Sequence, residues 1–182
     1  MIFGLFRKKN TNRLIVNRQY AALTSTARIP FFYTEMNVPD TVMGRFEMLC
    51  AVMILFFRRT ASCDAAGQQL AQEIIDAFFQ DIDHSIRELG VGDQGVPKRM
   101  KKLAGMFYGR LETYAEALGA SNSAALASAL QRNIHPQQPA APAMLSLAEW
   151  MMGAEQALKQ VPDEAIARGD LALPEPAAGQ AV

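Results

Sequence analysis

The sequence predicts an all-α fold, a single-domain helical bundle built on a central helical hairpin with flexible termini. Apolar residues recur at steps of three and four through several long segments, which is the period of an amphipathic helix. No stretch alternates apolar and polar residues in the way that a half-buried strand does. The chain has 182 residues and is 50% hydrophobic, enough for one domain with a core. We therefore expect an N-terminal extension at 1–11, an all-α domain at 12–168 and a disordered tail at 169–182.

The first ten residues combine a small apolar cluster with a run of bases. Chain ends are usually poorly ordered, so a frayed terminus is the favoured interpretation. The alternative is contact with a membrane surface, in which apolar side chains enter the headgroup layer and bases meet anionic lipids. The residues of that candidate membrane contact are Phe3, Leu5, Phe6, Arg7, Lys8 and Lys9.

Two helices are expected before the hairpin. Asn12 can cap the first, and Asp40 or Thr41 can cap a second that ends near Arg59. The second contains a run of apolar residues at 48–57, which is shorter than the roughly 20 residues of a bilayer span. We therefore predict that it is the buried core helix of a soluble protein. The two cysteines form neither a disulfide framework nor a metal-binding spacing, and they fit a reducing compartment.

The central hairpin is predicted from two apolar stripes that are joined by a glycine-rich corner. Gly90 follows the first stripe, at the position where a helix end commonly needs a left-handed residue. Pro97 falls in the first turn of the second helix, where its missing N–H group costs nothing. The stripes are Leu70, Ile74, Phe78, Ile82, Ile86 and Leu89 in the first helix, and Met100, Leu103, Phe107, Leu111, Tyr114 and Leu118 in the second.

Two shorter helices are expected after the hairpin. Gly119 is predicted to end the second hairpin helix, and Ser121 to cap a helix that ends before Pro136. The proline-rich segment 136–142 cannot be helical and is predicted to be a spacer. An amphipathic helix then follows at 144–160.

Charged residues are concentrated at the hairpin corner. Asp81, His84 and Glu88 lie three and four residues apart, so they share a helix face and can in principle hold a metal. A carboxylate-bridged metal site in a bundle needs further Glu-x-x-His units, and the chain has only two histidines. No metal site is predicted. Nucleophile-elbow, Walker and dinucleotide motifs are absent from the sequence, so no cofactor and no enzymatic activity are predicted either.

The first turns of the second hairpin helix carry several bases, including Lys98, Lys101 and Lys102. A solvated face is the first interpretation of such a charge run. Cations near a helix N-terminus are unfavourable, however, and a local cost of this kind is typical of a functional surface. Gly105 and Gly109 form a G-x-x-x-G step in the same helix, which we interpret as close helix packing within the bundle.

The amino-acid sequence of the hairpin corner resembles that of a known family. The run D-x-D-H-S-x-R-E-L-G-V-G-D at 81–93, V-P-K-R-M-K-K at 96–102 and F-Y-G-R at 107–110 are similar to the ubiquinol–cytochrome c chaperone family. The segment R-F-E-M-L at 45–49 is similar to the opening helix of that family. The resemblance covers roughly residues 20–150 and includes bacterial relatives of the mitochondrial cytochrome b assembly chaperone.

This resemblance implies a chaperone that binds newly made cytochrome b and supports assembly of ubiquinol–cytochrome c reductase. It also implies a cytoplasmic protein that can make peripheral contact with the inner face of the energy-transducing membrane. Further partners implied by the resemblance are a second assembly factor or the ribosome. Deformable methionines and aromatic anchors suit an apolar client, and the candidates are Met36, Met43, Met144, Met151, Met152, Phe31, Phe32 and Trp150. The predicted client-binding surface comprises Asp81, Asp83, His84, Arg87, Glu88, Asp93, Lys98, Arg99, Lys102 and Arg110.

Two alternatives remain open at the level of sequence. One is a small α-helical metal protein or enzyme that uses Asp81, His84 and Glu88. The other is an RNA- or ribosome-binding module that uses the bases at 98–102. A formal net charge of zero gives the whole molecule no field that would attract nucleic acid, and DNA is not expected as a partner.

Overall fold

The computed structural model describes residues 2–138 and 141–176, with side chains described from Asn12 onward, and it confirms the all-α bundle. The helices are α1 (Ile2–Ala27), α2 (Phe31–Thr34), α3 (Val42–Thr60), α4 (Ala65–Glu88), α5 (Val96–Gly119), α6 (Ser123–Ile134), α7 (Leu145–Lys159) and α8 (Asp163–Ala167). No strand occurs in these described residues. Helix α1 begins at Ile2, so residues 2–11 of the predicted extension lie in the same helix as the residues that follow them.

Helix α3 forms the centre of the bundle. Thr41, one of the two caps that the sequence offered beside Asp40, caps it by accepting a hydrogen bond from the N–H of Gly44 at 3.1 Å. Nearly every residue from Glu47 to Phe56 is buried, and α1, α4, α5, α6 and α7 pack around it. A helix that is apolar on all sides can only be satisfied in such a position, which explains why the longest apolar run of the chain lies there.

The hairpin of α4 and α5 packs against one side of α3. Phe78 of α4, Phe107 of α5 and Phe57 of α3 form a chain of aromatic contacts, with ring centroids 5.1 Å and 6.0 Å apart. Such tilted and edge-on pairs add specific stabilisation to the area that they bury. The two stripes predicted from the sequence are therefore core-facing over most of their length.

Helix α1 runs parallel to α4. The side chain of Asn12 donates to Glu73, and the hydroxyl of Tyr20 donates to Asp81 at 2.9 Å. Both pairs are separated by 61 positions, so the two helices advance in the same direction and in constant register. The C-terminal ends of α1 and α4 consequently lie at the same end of the molecule, together with the N-terminus of α3.

The sequence predicts the start of the disordered tail too early, at residue 169. Residues 169–176 cross α1 and α7 in an extended course, and Leu171 is 1% exposed. The side-chain amide of Gln19 holds this segment, because it donates to the carbonyl of Leu171 at 2.7 Å and accepts from the N–H of Leu171 at 3.0 Å. The indole N–H of Trp150 donates to the carbonyl of Pro174 at 3.1 Å. The remaining part of the predicted tail, 177–182, lies outside the described residues.

Candidate functional site

An apolar groove opens where the ends of α1, α3 and α4 meet, with a volume of about 460 Å³. Its lining comes from the C-terminal end of α1, Tyr33 of α2, the first two turns of α3, the C-terminal end of α4 and one residue of α5. The parallel register of α1 and α4 brings these helix ends together. The residues that line it are Thr24, Ala27, Arg28, Tyr33, Val42, Met43, Arg45, Phe46, Leu49, Asp81, Ile82, Ser85, Ile86, Glu88, Leu89 and Leu103.

The groove carries an unusual share of the exposed apolar surface. Among the described side chains, six large hydrophobic residues are exposed, and three of them line this groove. These are Val42 at 63% exposure, Met43 at 45% and Leu89 at 59%. A soluble surface rarely collects large apolar side chains in one concave place unless something binds there.

Charged groups also line the groove beside its apolar surface. Asp81 accepts the hydrogen bond from Tyr20, and burial followed by this bond raises the pKa of Tyr20 well above its usual value. Arg45 pairs with Asp40 at 2.7 Å. Arg28 and Glu88 also line the groove, and neither makes a salt bridge with any side chain that the structure describes. The groove therefore offers charges of both signs at its edge.

The hairpin corner beside the groove is closed by a Schellman motif. Gly90 has a φ of +78°, as predicted, and its N–H bonds the carbonyl of Arg87 at 2.9 Å. The N–H of Val91 reaches the carbonyl of Ile86 at 3.4 Å, which completes the paired pattern of that motif. Gly90 thereby fixes where α4 ends and where the exposed side chain of Leu89 stands.

The acidic and basic residues predicted at the corner divide into three groups. Arg87 joins Asp83 at 2.7 Å and Asp93 at 2.6 Å, and its hydrogen bond lowers the pKa of Asp83. Asp81 and Glu88 line the groove instead. The others are solvent-exposed and make no salt bridge within the described residues: His84, Lys98, Arg99 and Lys102.

The structure buries Arg110, which the sequence analysis placed on the client-binding surface. It is 7% exposed and forms a bidentate pair with Glu47 of α3, with both N–O distances at 2.5 Å. A third hydrogen bond joins its guanidinium to the carbonyl of Met106 at 2.8 Å. Because α5 packs its Arg110 side directly on α3, the residue contributes to the interior of the bundle and not to a client contact.

The G-x-x-x-G interpretation was also wrong. Gly105 and Gly109 are exposed, and apart from their own chain neighbours and helix backbone no described atom lies within 4 Å of where a Cβ would stand on either. The step therefore packs against nothing within the bundle. Most of the predicted methionine and aromatic anchors are core residues as well, since Met36, Phe32, Met144, Trp150 and Met151 are buried. Of that set, Met43 alone is exposed.

The metal alternative gains no geometric support. Within the part of the chain that the structure describes, no group of three or more His, Cys, Asp and Glu side chains is arranged to hold a metal ion. The structure does not describe the side chains at 3–9, which form the candidate membrane contact. Across the described helices, none is long and apolar enough to cross a membrane.

Comparison with known proteins gives the family. The model of the family described as ubiquinol-cytochrome C chaperone matches residues 34–173, which include the hairpin corner and the part of the groove that α3, α4 and α5 line. The chain belongs to this family. Its structure is similar to the crystal structure of the Cbp3 homolog from Brucella abortus, with 47% sequence identity and a TM-score of 0.87. That similarity covers 96% of this chain and 97% of the other, so the resemblance seen in the corner motifs extends to nearly the whole fold.

A second, shorter similarity is to myoglobin from Danio rerio. The two are 30% identical over 61 residues, which is 34% of this chain and 42% of the myoglobin. The chain therefore spans about two fifths of the length of that relative. A match between short helical segments carries no inference about activity here.

The sequence did not reveal the groove itself. Leu89 completes the apolar stripe of α4 and is assigned with it to the core, and Val42 precedes the apolar run at 48–57 and carries no signal of its own. Only Met43 had been singled out as an adaptable contact. The polar signature of the corner lies at the same end of the molecule as the groove, whereas the apolar surface there depends on where neighbouring helices stop.

Proposed function

We propose that the protein is an assembly chaperone of the cytochrome bc complex that holds an apolar segment of newly made cytochrome b in the groove between α1, α3 and α4. It acts by binding and not by catalysis. The observation that carries the proposal is the convergence of Val42, Met43 and Leu89 on one groove. Membership of the ubiquinol–cytochrome c chaperone family supports the choice of client.

The chemistry of the groove suits an apolar helix of a membrane protein before assembly. Burying one large aliphatic side chain contributes about 1.5–3 kcal/mol, so a few residues of such a helix gain appreciable affinity on this surface. Met43 is unbranched and polarisable, which lets it adapt to different side chains of the client. An apolar helix without its lipid or protein partners exposes the surface that the groove can cover.

The charged residues at the edge fit the ends of such a segment. Membrane helices are flanked by polar and basic residues, and Asp81 and Glu88 are acids at the groove while Arg28 is a base. We propose that these side chains hold the client in register. The remaining exposed residues of the predicted surface, among them Lys98 and Arg99, extend it around the hairpin corner.

The test compares apolar-to-charged variants inside and outside the groove. Leu89→Glu and Met43→Glu should each weaken capture of cytochrome b by about 30-fold or more, the loss expected when an interface anchor is removed. Leu145→Glu is the matched control, because Leu145 is exposed to a similar degree, 47%, on α7 outside the groove. Exposed positions change unfolding free energy by no more than about 0.5 kcal/mol, so all three variants should melt like the natural chain.

The measurements are co-purification of newly made cytochrome b and the amount of assembled cytochrome bc complex in cells that carry only the variant chain. Normal assembly with Leu89→Glu and Met43→Glu would contradict the groove as the client site. Lys98→Ala combined with Arg99→Ala examines the corner in the same assays. If that double variant melts normally and captures cytochrome b normally, the basic turn lies outside the client surface.

A further inference from the structure

The outer face of α5 carries six exposed residues in alternating steps of four and three. In chain order the face begins with two lysines, continues with two glycines and ends with two glutamates. The five steps average 3.6 residues, the period of an α-helix, so the six residues lie along one face on which a second helix can pack. We call this face the α5 seam; its residues are Lys98, Lys102, Gly105, Gly109, Glu112 and Glu116.

The charges of the α5 seam are unfavourable within one chain. Lys98 and Lys102 are like charges four positions apart, and so are Glu112 and Glu116. The lysines lie toward the N-terminal end of the helix and the glutamates toward its C-terminal end, opposite to the preference of the helix dipole. None of the four forms a salt bridge with any side chain in the described part of the molecule.

The same arrangement becomes favourable against a second helix with the reverse order of charge. The seam supplies that order itself when it is turned end to end, because its two halves are placed symmetrically about Phe107. Lys98 and Glu116 are equally distant from that position along the chain, as are Lys102 and Glu112. We propose that two copies of this chain associate through the α5 seam, with the two α5 helices antiparallel about a two-fold axis.

In this arrangement the glycines lie at the centre of the interface. Gly105 and Gly109 are also symmetric about Phe107, and the space where a Cβ would stand is open on both. Two helix backbones can therefore approach closely there. Tyr108 borders the seam beside the axis and is 52% exposed, so the rings of the two copies come to lie near each other.

A second copy explains the pattern better than a foreign partner does. In a two-fold interface every contact occurs twice with its members exchanged, so a single helix face must be complementary to itself. A foreign helix would place no such symmetry on this one. The seam from Lys98 to Glu116 is about 27 Å long, which suits a small and reversible interface rather than an obligate one.

The test is self-association of the full chain, measured by sedimentation velocity over a range of protein concentration at low and high salt. We expect a reversible dimer that weakens as salt rises, since exposed charge pairs are screened. Lys98→Glu with Lys102→Glu makes the seam wholly acidic, and Glu112→Lys with Glu116→Lys makes it wholly basic. Each double variant alone should self-associate at least about 10-fold more weakly than the natural chain.

Mixing the two double variants gives the decisive result. An acidic seam against a basic seam restores all four charge pairs, so the mixture should form dimers when neither component does. Arg13→Glu with Arg132→Glu is the matched control, because it changes the net charge as the lysine variant does at exposed sites off the seam. It should dimerise like the natural chain. A natural chain that stays monomeric at several hundred micromolar, or a mixture that stays monomeric, would overturn the proposal. Either outcome leaves the groove proposal standing, because Val42, Met43 and Leu89 lie off α5.

Discussion

Replacing Arg110 by methionine removes one partner of the buried ion pair that joins α5 to α3. Glu47 is 4% exposed and Arg110 7%, and the pair is bidentate at 2.5 Å. In Arg110→Met the aliphatic part of the side chain is retained while the charge is lost. Glu47 is then left in the interior with neither of its two hydrogen bonds from the guanidinium.

The expected cost follows from that isolation. Breaking a buried pair by removing one partner costs about 3–5 kcal/mol, because the remaining charge is uncompensated. For a domain of this size, 1 kcal/mol shifts the melting temperature by roughly 2–4 °C, so Arg110→Met should melt about 6–20 °C lower. Glu47→Leu combined with Arg110→Met removes both charges, and it should recover most of the loss because an apolar pair of similar volume can replace an ion pair.

The pH dependence gives an independent check. Burial raises the pKa of Glu47, and the hydrogen bonds from Arg110 offset part of that rise. Without Arg110 the pKa of Glu47 should rise further. A carboxyl whose pKa is raised in the folded state stabilises the fold below its unfolded pKa, and that contribution is lost as the pH rises through the folded value. The deficit of Arg110→Met relative to the natural chain should therefore shrink as the pH falls from 7 toward about 4.3.

The assay is thermal and urea unfolding followed by circular dichroism, with the natural chain, the single variant and the double variant compared at each pH. A melting temperature within about 2 °C of the natural chain for Arg110→Met would refute the reasoning. It would mean that the guanidinium is free at the surface, as the sequence had suggested. A double variant that is no more stable than the single one would show that the loss comes from packing rather than from charge.

Two further predictions concern the corner and the N-terminus. Gly90→Val forces a β-branched residue to a φ of +78° and should lower the unfolding free energy by about 1–2 kcal/mol. Gly92→Val is the control and should cost less, because Gly92 has no positive φ and open space at its Cβ position. Equal denaturant midpoints for the two variants would contradict this prediction. If Phe3, Leu5 and Phe6 with the following bases contact a membrane, the full chain should sediment with anionic vesicles and a chain lacking residues 1–10 should not. Equal sedimentation of the two would remove that hypothesis.

The architecture was largely predictable because its signals are local. Hydrophobic period gave the long helices, and cap chemistry gave two of their ends, Thr41 before α3 and Gly90 after α4. The end of α5 was harder to predict from the sequence. The left-handed residue there is Ser121, with a φ of +50°, and Asn122 rather than Ser121 caps α6. A serine in that conformation carries little sequence signal, since glycine is the residue that usually marks it.

Long-range pairs were not predictable from one sequence. Residues at 169–176 contain alanine and proline and resemble a disordered tail in composition, yet Gln19 binds the backbone of Leu171 from a position 152 residues away. The partner of Arg110 is Glu47, on a different helix. Composition and periodicity describe neighbours along the chain, and neither can identify a partner that the fold brings from elsewhere.

The groove, which we propose as the client site, illustrates the same limit. Along α4 the apolar stripe is buried from Leu70, at 3% exposure, to Ile86, at 4%, and it then continues to Leu89 at 59%. The periodicity is unbroken, so the sequence assigns Leu89 to the core. The structure differs because α1 ends at Ala27, which the 61-residue offset places level with Glu88, so Leu89 lies past the end of that neighbouring helix. An apolar stripe that extends past its neighbours becomes a binding surface without any change in its pattern. The Schellman turn at Gly90 then sets how far it extends, and this connects the polar signature of the corner to the apolar groove beside it.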